Sequence, residues 1–287
     1  MEIHARQQVI GLDARPLLMG VVNVTPDSFF DGGRFLDPQA AVAHALRLVE
    51  EGADLLDIGA ESTRPGATSV DEAEESRRLI PVVTAVAKAV VVPISVDTSK
   101  TGVAKAALDA GAVIVNDVTA LRGDQAMVEL VAETGAGLVL MHMQGTPRTM
   151  QEAPHYHDVV EEVGVFLAER ARWAMERGVT KSQILLDPGV GFGKVLVHNL
   201  DLLAQLRMLT NLGFPLLVGL SRKGFIGQLL DRPVQDRAWG TAAAVALAVE
   251  QGANILRVHD VAAMQDVVKV AAAISRRMTS PLRVQHA

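Results

Sequence analysis

At 287 residues, 49% of them hydrophobic and 21% charged, the chain has material for a large core and is too apolar for intrinsic disorder. Its 27 basic and 33 acidic residues give a net charge of -6, which argues against nucleic acid or an anionic membrane as main partner but leaves room for a small anionic ligand. There is no cysteine, so disulfides, thiolate catalysis and Cys-ligated zinc drop out.

The first residues, Met1 to Arg6, lack the basic start and apolar run of a signal peptide. No apolar stretch reaches the roughly 20 residues that span a bilayer, so a cytoplasmic protein is expected. Eight apolar runs read as strands: 17–22, 54–58, 92–96, 113–115, 137–141, 183–186, 215–219 and 254–258. Several are continuous rather than alternating, as parallel strands covered on both faces require. Helical stretches are expected near 38–51, 71–89, 100–110, 124–134, 157–177, 200–211, 235–251 and 260–277. A Gly-Ala pair recurs at 52–53, 111–112, 135–136 and 252–253, each time between a helix and the next strand. The pattern predicts an α/β fold, a single (β/α)8 TIM barrel spanning residues 1–287. Long loops at 24–37 and 60–70, after strands 1 and 2, are expected to act as lids, and 143–156 is a third candidate mouth loop.

Each run leads into a polar side chain: Asn23, Glu61, Asp97, Asn116, His142, Asp187, Lys223 and Arg257, with His259 two beyond. In such a barrel the C-terminal strand ends share one active-site face. Asn23 opens the Asn23–Gly33 loop. Its amide oxygen is a hard ligand suited to Mg²⁺, although Asn, Pro, Asp and Gly also form ordinary turns. The Phe29–Phe30 pair inside that polar loop favours a site, because it needs something to cover. Arg64, in Glu61–Gly66, can reach a phosphate or carboxylate as a planar fork or lie on the surface. Asp97, Asn116 and Asp187 are three acceptors aimed at one mouth, which suits a flat heterocycle with several N–H donors; each alone could be a helix cap. Gly189–Lys194 fails the phosphate-loop pattern, since Pro188 and Val195 stand where Gly and Ser or Thr belong, and reads as a tight turn. Lys223 can form a Schiff base or donate hydrogen bonds. Arg257 and His259 share a strand face and make a candidate anion site.

The Asn23–Gly33, Glu61–Gly66, Asp187–Lys194 and Ser221–Lys223 segments together resemble the dihydropteroate synthase family, a likeness running from Met19 to about Val261. The resemblance implies condensation of 6-hydroxymethyl-7,8-dihydropterin diphosphate with p-aminobenzoate, by dissociative loss of diphosphate through a pterin cation. It implies a pterin pocket of Asp97, Asn116, Met141, Asp187, Phe192 and Lys223. It further implies p-aminobenzoate contacts from Phe29, Thr63, Arg64, Pro65 and Gly224, and diphosphate contacts from Asn23, Arg257 and His259. Asp31, Arg64 and Lys223 are the implied catalytic residues, Mg²⁺ on Asn23 the implied cofactor, and a homodimer the implied assembly, with sulfonamides as mimics of p-aminobenzoate. The implied substrate has no ketone or aldehyde, which removes the Schiff base. Phe30, Val195 and Gly224 depart from residues usual in the family, and Gly224 bears on affinity for the p-aminobenzoate carboxylate. The competing readings are a non-catalytic pterin-binding paralogue and a methyltetrahydrofolate-binding methyltransferase barrel. Asp31, Arg64 and the Arg257/His259 pair weigh against both.

Overall fold

The computed structural model describes residues 1–25, 38–62, 66, 67 and 69–279. Two short strands come first, β1 (Glu2–Ala5) and β2 (Gln8–Gly11), paired antiparallel with Ile3 opposite Ile10. Then strands and helices alternate: β3 (Leu17–Asn23), α1 (Pro38–Glu50), β4 (Leu55–Gly59), α2 (Glu72–Ala89), β5 (Ile94–Asp97), α3 (Thr101–Asp109) and β6 (Ile114–Asp117). They continue as α4 (Ala126–Thr134), β7 (Gly137–Met141), α5 (Val159–Met175), β8 (Ile184–Asp187), α6 (Leu196–Ala204), α7 (Arg207–Thr210), β9 (Leu217–Gly219), α8 (Gly224–Leu230), α9 (Ala238–Glu250), β10 (Ile255–Val258) and α10 (Val261–Thr279). Strands β3 to β10 form one parallel sheet in the order β8-β7-β6-β5-β4-β3-β10-β9. A parallel bridge between Leu186 and Leu216 joins its two ends, so the sheet closes into a (β/α)8 barrel.

Alternation along each strand sorts the side chains. Leu18, Val22, Leu56, Ile58, Val96, Val115, Leu138, Leu140, Leu186, Val218, Leu256 and Val258 face outward and pack with the helices. The other face turns into the barrel, where Met19, Leu55, Ile114, Val139, Leu185, Leu217 and Ile255 form an apolar lower layer. Ile3, Ala5, Ile10 and Leu12 join that layer, so the N-terminal hairpin plugs the bottom of the barrel. The sequence reading assigned no structure to this segment, because two four-residue strands carry little periodic signal.

The expected helix at 200–211 is instead α6 followed by α7, and α8 begins directly after Lys223, where no helix was expected. At the helix ends, Gly52, Gly111, Gly135 and Gly252 all have positive φ, between 67° and 119°, as the repeated Gly-Ala pairs imply. Asp71 caps α2 by accepting from the Glu74 N–H at 2.8 Å. Among the described residues no helix is long and apolar enough to cross a membrane.

The plug yields a prediction. Ile3 is fully buried, so Ile3→Ala should lower stability by about 2–5 kcal/mol, read as a shift in a urea unfolding midpoint. A shift below about 0.5 kcal/mol, the range of ordinary surface substitutions, would mean the hairpin does not seal the core.

Candidate active site

Above the apolar layer the interior becomes polar. One step up each strand from Leu55, Ile114, Leu185 and Ile255 stand Asp57, Asn116, Asp187 and Arg257, each two residues on and therefore on the same face. Asp97 ends β5 level with Gly59 and Asn116, and Gly59 in turn pairs with Asn23. A pocket of about 320 Å³, including solvent at its mouth, opens here. Its walls include Asp97, Asn116, Met141, Asp187, Phe192, Lys223 and Arg257, brought from six strands and their following loops.

Arg257 is the hub. Its Nε donates to Asp57 Oδ2 at 2.6 Å and its Nη2 to Asp97 Oδ2 at 2.9 Å. Asn116 Nδ2 donates to the same Asp57 oxygen at 3.1 Å. Burial would push the guanidinium pKa down, but Asp57 and Asp97 outweigh it and the cation is held firmly. Burial raises the Asp97 carboxyl well above the usual range, and the charge of Asp57 raises it further. Asp187 is raised by burial too, opposed by the Gly189 N–H, which donates to its Oδ1 at 2.7 Å. Burial brings Lys223 down to about 8, against the pull of Asp187. The Lys223 ammonium lies 4.1 Å from the centre of the Phe192 ring, a cation–π contact that fixes the ring as a wall.

Behind Phe192 the β8–α6 turn is held rigid. Gly189, Gly191 and Gly193 all have positive φ, and a Cβ on Gly189 would strike the His142 carbonyl oxygen at 1.8 Å. The Nζ of buried Lys194 is hydrogen-bonded with His142 Nδ1 at 2.9 Å and donates to the Gly189 and Phe192 carbonyls at 3.0 Å each. Burial lowers this lysine to about 7, against the pull of Asp187. Burial, with the charge of Lys194, holds His142 neutral, at about 2. Met141, Met143, Met150 and Val118 pack with Phe192 and finish the apolar side of the pocket.

The remaining candidates fall in other places. Asn23 is the half-buried last residue of β3, and Gly224 is exposed at the first position of α8 with open space where a Cβ would stand. Lys223 is not at a strand end, as the sequence reading had it; it lies four residues beyond Gly219, where the turn into α8 returns it to the pocket. His259 does not form a cationic pair with Arg257: burial and the charges of Arg257 and Arg222 lower it to about 4, so it is neutral near pH 7. Glu61 is tied to Lys100, which also pairs with buried Glu75. Leu202, Leu206 and Leu209 are buried in the core, and Leu203 packs against it partly buried. Phe29, Asp31, Thr63, Arg64 and Pro65, with the Phe30 departure, lie outside the described residues. The Gly66 N–H donates to Pro147 O, which links the loops after β4 and β7.

Two residues escaped the sequence reading. Asp57 sits inside the apolar run Leu55–Ile58, and a charge in a strand covered on both faces was signal enough to mark it. Lys194 was seen only as part of a failed phosphate loop.

A closed barrel whose strand ends present N–H acceptors, with one lysine from the following turn, to a part-apolar pocket is a site suited to a pterin-like heterocycle. In keeping with this, residues 19–259 match the family model described as pterin binding enzyme. The dihydropteroate synthase of Escherichia coli K12 is 47% identical over 270 residues, covering 94% of this chain and 95% of the relative. Two Xanthomonas albilineans dihydropteroate synthase structures superpose closely. One, with 4-aminobenzoic acid, has a TM-score of 0.90 at 50% identity, covering 98% of this chain and 99% of the other. The second, with 7,8-dihydropteroate, has a TM-score of 0.87 at 47% identity, covering 98% and 100%. The chain belongs to the dihydropteroate synthase family of pterin-binding enzymes.

The lysine makes the pocket pH-sensitive in a definite direction. If the Lys223 ammonium donates to the heterocycle, pterin affinity should fall as pH rises through about 8. Lys223→Arg, which stays charged, should remove that alkaline limb. A titration of pterin affinity against pH checks this, and a limb that persists in the arginine variant would assign it to another group.

Proposed function

We propose that the chain condenses 6-hydroxymethyl-7,8-dihydropterin diphosphate with p-aminobenzoate, giving 7,8-dihydropteroate and diphosphate. The observation that carries this reading is the convergence of Asp97, Asn116, Asp187 and Lys223 on one pocket in a chain similar along nearly its whole length to dihydropteroate synthases. The aminopyrimidinone edge of a pterin offers N–H donors to the three acceptors, and Lys223 donates to its carbonyl and ring nitrogen. The ring then lies against Phe192 and Met141. Held this way, it points its methylene and diphosphate outward, toward Asn23, Arg257 and His259.

Loss of diphosphate from a methylene on an electron-rich ring leaves a resonance-stabilised cation. Asp97 and Asp187 line the pocket beside Arg257 and Lys223, with Asp57 behind Arg257, so carboxyl oxygens face the ring where the cation develops. Placing fixed charges at that point, with both reactants aligned, is the catalytic device; no covalent intermediate is needed. His259, being neutral, adds a hydrogen-bonding N–H rather than a charge. The amine nucleophile is assigned to the loops after β3 and β4, with Arg64 and Asp31 as their chemical side chains.

A resident metal cage does not fit: among the described residues no group of three His, Asp or Glu side chains is placed to hold a metal ion. Asn23 alone supplies one hard oxygen at the strand end, which suits Mg²⁺ arriving with the diphosphate and keeping its waters. Bound there, the ion would neutralise leaving-group charge. Sulfonamides, as mimics of p-aminobenzoate, would compete for the acceptor position. The diphosphate substrate is too charged to cross a bilayer unaided, so the cytoplasm is the compartment proposed. The test is diphosphate release by the purified protein, with and without p-aminobenzoate and with and without a chelator. Release that requires both the acceptor and Mg²⁺, matched by dihydropteroate, is expected. Tight pterin binding without release would favour a non-catalytic paralogue.

We further propose a homodimer through α9 and α10. Trp239 (87% exposed) and Leu247 (65%) lie eight residues apart on one face of α9, and Val270 (61%) and Ile274 (58%) lie four apart on α10, which packs beside it. Apolar stripes of this size on neighbouring helices mark an interface. Light scattering should give twice the chain mass, and Trp239→Glu with Leu247→Glu should reduce it to one; a monomeric parent protein would overturn the assignment.

A further inference from the structure

Asp57 does not line the pocket, yet the two hydrogen bonds of its Oδ2 go to residues that do. It is fully buried in β4, and Oδ2 accepts from Asn116 Nδ2 and Arg257 Nε. Its other oxygen, Oδ1, is buried without a hydrogen-bond partner. A carboxylate kept only to stabilise the barrel would have both oxygens satisfied, since an unpaired buried polar atom is costly. The arrangement therefore serves the two residues above it.

Its effect on Asn116 is specific. A side-chain amide has a donor end and an acceptor end of nearly the same shape, and the surrounding hydrogen bonds decide which points where. Because Asp57 can only accept, it draws Nδ2 down into the barrel and leaves the amide oxygen for the pocket. Turned the other way, Asn116 would present N–H to a ligand edge that itself presents N–H, and two donors would face each other.

We propose that Asp57 is a positioning residue that makes Asn116 an acceptor, and so selects heterocycles whose buried edge carries N–H donors. The inference rests on the pterin reading of the pocket, and the same carboxylate keeps Arg257 turned toward Asp97.

A charge-conserving swap tests it, with near-isosteric variants at every step. Asn116→Asp sets two carboxylates side by side, and like charges that close do not both ionise, so affinity for 6-hydroxymethylpterin should drop by about tenfold or more. Adding Asp57→Asn restores a donor below and an acceptor above, and the double variant should recover most of that loss. Binding is read by isothermal titration calorimetry, with KM for p-aminobenzoate expected to stay within about twofold throughout. In the full cycle the two substitutions should be coupled by at least about tenfold. Effects that simply multiply, or a KM for p-aminobenzoate that rises in step, would show a general structural role and overturn the proposal. Parent protein that fails to bind the pterin would sink the pocket reading itself, which is a different result from parent protein that binds while the swap shows no coupling.

Discussion

A closed eight-stranded barrel has one interior, and every second residue of every strand must share it. That constraint leaves no neutral place for a polar side chain in a strand: inward, it meets seven other strands; outward, it meets helices. This chain resolves the matter by height. Met19, Leu55, Ile114, Val139, Leu185, Leu217 and Ile255 make the lower interior apolar, with Ser95 of β5 its polar exception, and the charged groups begin one pleat higher. The boundary also sets the depth of the pocket, because a ligand can sink only as far as the polar layer.

Within the upper layer each charge is held by another. Asp57 and Asp97 share Arg257, Lys223 lies between the field of Asp187 and the Phe192 ring, and Lys194 fixes the turn behind. Such a cluster is costly to desolvate, and apolar residues of similar volume would give a more stable barrel. What it supplies is preorganisation: donors and acceptors stand fixed before the substrate arrives, so little reorganisation is left for the moment of reaction. Lys194 shows the same economy. One buried lysine bonds a histidine and two carbonyls, and a loop of three glycines becomes a rigid wall.

How much of this was legible in the sequence follows from which signals are local. The eight strands declared themselves as apolar runs, and the recurring Gly-Ala pairs marked the helix ends, because both depend on neighbours in the chain. Asp97, Asn116 and Asp187 stood out because apolar runs lead straight into them. The hairpin at Glu2–Gly11 was too short to show a period, and its role is defined only by the hole it fills. Arg257 could be seen as a cation on the right face, but not that 200 residues of intervening chain would place Asp57 against it. The neutrality of His259 likewise comes from burial and from arginines brought near by folding. The partner of a charge is a tertiary fact; a sequence shows the charge alone.

The plug and the pocket are best understood as parts of one arrangement. Polar groups at the top of the interior make few apolar contacts, so the apolar layers below carry more of the interior packing. Ile3, Ala5, Ile10 and Leu12 add a further apolar stratum beneath the strands, and each larger side chain so buried contributes about 1.5–3 kcal/mol before entropy is counted. The hairpin's turn is anchored, since the Arg6 N–H donates to Gly135 O and the Arg6 guanidinium to the carbonyls of Leu108 and Ala112. Both ends of the barrel are thereby committed, one to packing and the other to charge. A substitution at the bottom should be felt as stability and one at the top as affinity, because the apolar layer between them separates the two functions.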